Sequence, residues 1–276
     1  MRRTIATVGT AGLVALIATP MATANAAEDS GDATVSVLHG VPGLTVDVYA
    51  NGEELIPNFK PGTLTDPLTL PAGTYDLQVF ADGDDPKTAD PAIEASGVKV
   101  PAGANATVVA HLDTDGNPVL TPYVNDTSPT AAGEARLTVR HDAAAPAVDV
   151  RADGKAVFTG LTNPNEDSAD VPAGTYSADV VLEGTKDVVI GPADLNLGEG
   201  TSTIVYAWGS ADDGNLKLAV QTIDGLHSAP AGVPGGEAGL APESDGVPAW
   251  ALGLGAMSAL ALAFAGRQLV PARTRR

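Results

Sequence analysis

The chain has 276 residues, with 34 acids against 15 basic residues, a formal charge of −19, no cysteine and 4% aromatics. The missing cysteines exclude a lipoprotein anchor, disulfides, thiolate metal sites and cysteine catalysis. The acidity argues against nucleic acid and other polyanions as partners, and so few aromatics leave little platform for stacking sugar rings.

Every acid lies between two apolar segments. Residues 1–27 hold Arg2 and Arg3, and residues 247–276 hold Arg267, Arg273, Arg275 and Arg276, with no acid in either stretch. The region between carries nine Lys and Arg against 34 acids, a net −25. Basic residues beside apolar segments read as cytoplasmic, which places the acidic middle outside the membrane.

The first segment, 1–26, has the layout of a secretory signal peptide. Arg2 and Arg3 precede an apolar run from Ile5 to Ala18, then Pro20 and the small-residue motif Ala24-Asn25-Ala26, so cleavage is expected after Ala26. A run of about 14 residues falls short of the roughly 20 needed to cross a bilayer, which argues against an uncleaved anchor. The paired arginines hint at twin-arginine export, but the apolar positions expected directly after them are missing. General secretion is the better reading.

A first β-module is expected over 27–126. Runs at Thr34–His39, Leu44–Ala50, Thr74–Phe80, Val98–Val100 and Asn105–Leu112 are rich in Val, Thr and Tyr and bounded by turn residues. Alternation puts Val35 and Val37 on one face against Thr34 and Ser36, and Val46 and Val48 against Thr45, Asp47 and Tyr49. Asn51-Gly52 directly after a strand suits a type I′ hairpin turn, where both positions need positive φ. Tyr75, just after Pro71-Ala-Gly, is placed to pin a loop through its hydroxyl, as a tyrosine corner does. A third Pro-Ala-Gly stands at 101–103.

After a link at 127–133 the same signs return over 134–224. Val35 to His39 and Val46 to Gly52 recur 102 residues later as Leu137 to His141 and Val148 to Gly154. Pro71 to Tyr75 recurs as Pro172 to Tyr176, and Thr107 to His111 as Ile204 to Trp208. Agreement at beginning, middle and end indicates a duplicated domain, and each copy is large enough for its own core. Roughly seven strands at spacings of about 8–12 residues fit an immunoglobulin-like β-sandwich. The expected fold is therefore all-β: two tandem immunoglobulin-like modules between a signal peptide and a membrane helix.

His39, Pro42, Val46-Asp47-Val48-Tyr49, Asn51-Gly52 and Leu70-Pro-Ala-Gly-Thr-Tyr75 resemble a secreted bacterial module known as domain of unknown function 4397. The second copy keeps His141, Val148-Asp149-Val150, Asp153-Gly154 and Pro172 to Tyr176, with Arg151 in place of the tyrosine. The resemblance covers most of 33–224 and implies a β-sandwich on a bacterial cell surface. It implies no activity and no ligand.

Candidate chemistry is sparse. His39/Asp47 and His141/Asp149 share a spacing of eight and lie on adjacent strands, as a metal or acid–base pair would. No Ser, Lys or further His recurs beside both, which favours a structural His–Asp hydrogen bond fixing the first hairpin. The Asp is expected to bond within its own module, to the His or to backbone N–H groups. Asp113-Thr-Asp115-Gly-Asn117 and Asp82-Gly-Asp84-Asp85 superficially look like calcium loops. With Gly116 at the fourth position and Val124 at the twelfth, the first fails the EF-hand pattern, and hairpin turns are the simpler reading. Asn105-Ala-Thr and Asn125-Asp-Thr are glycosylation sequons in form and read as loop residues. No nucleophile motif, phosphate loop, zinc spacing or dinucleotide fingerprint is present. No residue is assigned as catalytic, cofactor-binding or metal-binding, and no cofactor is expected.

From 225 to 246 the chain turns to Gly, Pro and Ala, a flexible stalk. Val247 to Gly266 is 20 residues without a charge, enough for about 30 Å of helix, with Trp250 near its outer end and a basic cytoplasmic tail at 267–276. Leu240-Ala241-Pro242-Glu243-Ser244 before this span is the nearest match to a cell-wall sorting motif, but it lacks the Thr-Gly pair a sortase cleaves. The expectation is a non-enzymatic single-pass cell-surface protein, anchored in the membrane through 247–266, with a structural or adhesion and presentation role. The alternatives are an extracellular ligand-binding module for sugar, peptide or calcium, and a sortase-attached wall protein. An extracellular protein or glycan partner is left unidentified.

Overall fold

The computed structural model describes residues 31–228. The expected signal peptide, most of the stalk, the sorting-like motif and the span at 247–266 fall outside the described residues. Among the described residues there is no helix, and thus none long and apolar enough to cross a membrane.

Sixteen strands build four sheets. The first half holds β1 (Asp32–His39), β2 (Val46–Ala50), β3 (Glu53–Phe59), β4 (Leu68–Pro71), β5 (Gly73–Ala81), β6 (Ile93–Val100), β7 (Asn105–Leu112) and β8 (Pro118–Val124). The second half holds β9 (Glu134–Ala144), β10 (Val148–Ala152), β11 (Lys155–Leu161), β12 (Glu166–Pro172), β13 (Gly174–Leu182), β14 (Val188–Leu197), β15 (Ser202–Ser210) and β16 (Lys217–Ile223). The sheets run β4-β1-β7-β8 and β3-β2-β5-β6 in the first half, β12-β9-β15-β16 and β11-β10-β13-β14 in the second. Strand order is thus the same in both, and no sheet mixes strands from the two.

In each half the two sheets face one another across an apolar core, a β-sandwich. Val37, Val46, Val48, Phe59, Val79 and Ile93 meet in the first half, with Ala33, Val35, Leu77, Val100 and Val108 beside them. Leu137, Val139, Val148, Val150, Phe158, Val180, Leu197 and Val205 fill the second. The alternation read from Val35/Val37 and Val46/Val48 therefore points to the core as expected.

The strand order is not that of an immunoglobulin domain, which corrects the expectation. There the first, second, fifth and fourth strands share one sheet, and the third crosses to the other. Here the two-residue turns at Asn51-Gly52 and Asp153-Gly154 have φ of 52°, 80°, 51° and 73°, the type I′ signature. Such a turn leaves no chain for a crossover, so β3 must pair with β2, and β11 with β10. The first strand instead lies parallel to the seventh, Thr34 opposite Asn105 through His39 opposite Ala110, and β9 lies likewise along β15. Parallel pairing needs a long connection, which the five intervening strands provide.

Strands β3, β4 and β8 escape the sequence pattern because each carries proline: Pro57, Pro71, and Pro118 with Pro122. Proline cannot donate to a ladder and is confined to sheet edges. All three are edge strands, as are β12 and β14, which hold Pro172 and Pro192. From β4 to β5 the chain changes sheet with only Ala72 between, and the Tyr75 hydroxyl braces the corner by donating to the Pro71 carbonyl at 2.7 Å. Tyr176 does the same for Pro172, also at 2.7 Å.

Candidate functional site

The repeated His and Asp residues do not bond to each other, against the expected His–Asp hydrogen bond. His39 Nε2 lies 2.8 Å from the Leu44 carbonyl, and Nδ1 lies 3.4 Å from the Val41 N–H. A carbonyl only accepts, so Nε2 carries the proton and the neutral ring spans the β1–β2 loop. Burial holds the His39 ring below its ordinary basicity, partly offset by the Leu44 carbonyl. His141 repeats the pattern, with Nε2 3.0 Å from the Pro146 carbonyl and the Ala143 N–H at 3.4 Å from Nδ1. Asp47 accepts from the N–H of Asn58 at 2.7 Å and of Gly83 at 3.4 Å. Asp149 accepts from Gly160 and Gly184, both at 2.9 Å, and those bonds hold its carboxyl below the ordinary value. Asn58 and Gly160 sit at positive φ beside a bulge in the β2–β3 and β10–β11 hairpins. Each Asp therefore ties that bulge to the turn after the fifth strand.

The acidic loops are turns. Asp113 Oδ1 accepts from the N–H of Asp115 and Asn117 at 2.9 and 2.8 Å, and Oδ2 from the Asn117 amide at 3.2 Å, which lowers its pKa. Asp85 accepts from the Lys87 N–H at 3.0 Å. Among the described residues no group of three or more His, Asp or Glu is placed to hold a metal ion.

The densest polar constellation lies where the outer face of β4-β1-β7-β8 meets the outer face of β12-β9-β15-β16. Leu38, Val109 and Tyr123 from the first half pack there on Ile204 and Tyr206 from the second. Strand β9 turns Leu137 and Val139 to its own core, so Arg136, Thr138, Arg140 and Asp142 point into this junction. Arg140 is only 1% exposed. Its guanidinium donates to Glu166 at 2.7 Å, the Tyr206 hydroxyl at 2.8 Å and Asn125 Oδ1 at 2.9 Å. It also stacks 4.1 Å from the centre of the Tyr123 ring. The Tyr206 hydroxyl bonds Gln221, which also accepts from Thr107 of the first half at 2.9 Å. Asn125 is buried and its amide donates to Asn105 at 2.7 Å and Thr107 at 3.1 Å. Asn125 thus lies just past β8, outside any strand as its sequon suggested, yet buried in the junction, whereas Asn105 opens strand β7.

Asp142 is fully buried, and burial pushes its carboxyl up to about 6 despite the opposing pull of Tyr123 and Arg140. The Tyr123 hydroxyl stands 2.7 Å from Asp142 Oδ1 and 2.8 Å from the Pro164 carbonyl. One hydroxyl proton cannot serve both. Below pH about 6 a protonated Asp142 can donate to Tyr123 and free that proton for Pro164; once ionised, Asp142 only accepts from the Tyr123 hydroxyl. His111, also buried, is held neutral by desolvation, with Nδ1 3.0 Å from the Leu112 carbonyl and Nε2 2.8 Å from Thr121 Oγ1. Burial likewise raises the phenols of Tyr123 and Tyr206.

Two further contacts seal the junction. Trp208 lies over Gly40 and Gly62, where a Cβ would come within 3.1 and 2.8 Å of its atoms. The link at 127–133 is held as well: Thr130 is buried and exchanges backbone hydrogen bonds with Leu226 and Ser228. Arg136 bridges to Asp170 at 2.8 Å and Asp126 at 2.9 Å, and donates to the Ser128 carbonyl at 3.0 Å.

None of these junction residues stood out in the sequence. The available signal was the outer face of β9, where Arg136, Thr138, Arg140 and Asp142 replace the Thr34, Ser36, Leu38 and Gly40 of β1. The β9 face thus carries two arginines and an aspartate that the equivalent face of β1 lacks. Residues 33–151 match the protein family described as Domain of unknown function (DUF4397), a span covering the whole first sandwich and reaching β10. Comparison with curated proteins finds no match.

Proposed function

We propose that the chain is an exported, non-enzymatic protein that displays two tandem copies of the DUF4397 module as one rigid body, held to the cell membrane by residues 247–266. The observation that carries this reading is the junction. A flexible pair of modules would be joined by a polar, solvated contact, whereas here Arg140, Asp142, His111 and Tyr206 are buried between the halves. The second sandwich repeats the strand order of the first, which supports reading it as a second copy. The same burial supports a structural role for the titratable groups, since no substrate reaches a site with so little exposure. Charge segregation supports the topology: cleavage after Ala26, the ectodomain outside, and the tail at 267–276 inside. Presentation or adhesion at the cell surface is the role this build suits.

Protease added to intact cells is expected to degrade residues 27–246, and deletion of 247–276 to release a soluble protein into the medium. Protection of 27–246 would overturn the topology. Rigid display is tested by small-angle scattering of residues 27–246 with Arg140→Ala. A scattering curve unchanged by the variant, or a wild type that scatters as two independently tumbling modules, would refute the locked junction.

A further inference from the structure

The two sandwiches differ inside. Between the sheets of the second half lies a cavity of about 430 Å³, open at one side and lined by Val157, Val171, Tyr176, Ala178, Leu195 and Leu218 among others. The matching space in the first half is about 30 Å³. The register locates the differences in the lining. Leu77 stands opposite Ala50 in the first half, and Ala178 stands opposite Ala152 in the second. Leu70 stands opposite Ala33, and Val171 opposite Ala135. Leu55 corresponds to Val157, one residue before the matched pairs Val48–Ile56 and Val150–Phe158. Three leucines have shortened, the largest loss being Leu77 to Ala178, while Val35, Val98 and Val100 correspond to the longer Leu137, Leu195 and Leu197.

A cavity of this size matches the roughly 300–1,000 Å³ of small-ligand sites, which are apolar with a few polar groups at the rim. Left unfilled, it forfeits dispersion contacts that a close-packed core keeps. It is about three times the ~150 Å³ that accepts benzene, so it has room for on the order of fifteen heavy atoms.

The rim has also changed. Tyr49 and Gln78, paired in the first half, correspond to Arg151 and Asp179 in the second. Arg151 donates to Asp179 through Nε and Nη2, at 2.7 and 2.8 Å, and the two cancel in charge. Asp153 accepts from the Ser177 N–H at 3.0 Å. Lys155 is exposed at the mouth and makes no ion pair among the described residues. Asp153 makes no ion pair either, so the opening carries one unpaired charge of each sign, and Lys155 is its exposed cation.

We propose that the second half binds a single-chain amphiphile with an anionic head, such as a fatty carboxylate, its chain between the sheets and its head at Lys155. This goes beyond the display reading and stands whether or not the junction is rigid. Dodecanoate, of suitable length, and dodecanol as its uncharged counterpart are titrated below their aggregation limits into the full chain by calorimetry. Uptake by the two apolar terminal segments is common to every variant and cancels in comparison.

The wild type is expected to bind one dodecanoate saturably. Ala178→Leu, which restores the residue the first half holds at that register, is expected to lose at least about tenfold in affinity for both probes. Val157→Leu is the second filling variant, used where the first fails to fold. Lys155→Gln is expected to weaken dodecanoate roughly tenfold and leave dodecanol unchanged. Equal uptake by the wild type and a folded filling variant, or uptake that never saturates, overturns the site. Unchanged dodecanoate affinity in Lys155→Gln overturns the anionic head.

Discussion

Asparagine in place of Asp142 keeps the shape of the side chain and removes its titration. In the wild type, burial pushes the carboxyl up to about 6, while the Tyr123 hydroxyl and Arg140 oppose the shift. In the unfolded chain it titrates near the ordinary value of about 4. Between those values the folded state holds a proton that the unfolded state has released, so stability falls as pH rises. The contribution is complete below about pH 4 and lost once pH passes about 6. Two pH units at about 1.4 kcal/mol each amount to about 3 kcal/mol. Urea unfolding of residues 27–246 at several pH values from about 4 to 8 gives the wild-type stability minus that of Asp142→Asn. That difference should decline by about 3 kcal/mol up to pH ~6.5 and then level off. Taking it pH by pH cancels the fixed cost of burying an amide and the titration of every other carboxyl. Parallel profiles would refute the reasoning, because they would mean that Arg140 and Tyr123 keep Asp142 ionised in the folded state.

Arg140→Ala should cost about 3 kcal/mol in the same unfolding experiment, since it strands the Tyr206 and Asn125 acceptors and opens the space over the Tyr123 ring. A loss under about 1 kcal/mol would show that the junction leans on its apolar contacts alone. Asp47→Ala should cost about 1–3 kcal/mol by freeing the Asn58 and Gly83 N–H groups, with hydrogen exchange quickening at both; unchanged exchange would contradict the clip. Gly62→Ala should lower the melting temperature more than Gly43→Ala does. Both glycines have positive φ, 79° and 93°, but only at Gly62 would a Cβ meet Trp208. Equal losses would mean that backbone strain, and not the Trp208 contact, sets the cost.

The legible parts of this molecule are those written in a few consecutive residues. Asn51-Gly52 and Pro71-Ala-Gly-Thr-Tyr75 fix their own turns, so their recurrence pointed to a repeated strand order, which the sheets show, and to the start of the strands that follow. Strands β3, β4 and β8 were hidden because edge positions tolerate the prolines that spoil a pattern. The sheet order was out of reach, since β1 pairs with β7 across five intervening strands and no local pattern encodes that choice. Alternation sets Ser36 on the polar face of its strand, yet it is 2% exposed because the second half covers that face. The junction had the same defect on a larger scale. Arg140, Asn125, Tyr206 and Gln221 come from four strands, and only the finished halves bring them together. Single motifs carry no trace of such a meeting, whereas the contrast between the equivalent strands β1 and β9 does.

That contrast also decides which halves can marry. The two sandwiches meet through equivalent faces, the arrangement that in a symmetric dimer lets any copy bind any other. Here the faces have been made unequal. A second half facing another second half would offer Arg140 the counterparts Gln221 and Ile223 where Tyr123 and Asn125 now stand, and Asp142 would lose its tyrosine. A first half facing another would bring no arginine to Asn125 at all. The short link meanwhile keeps the right partner at high effective concentration. Neighbouring molecules therefore gain nothing by exchanging halves, and each chain remains a self-sufficient couple however densely it is gathered.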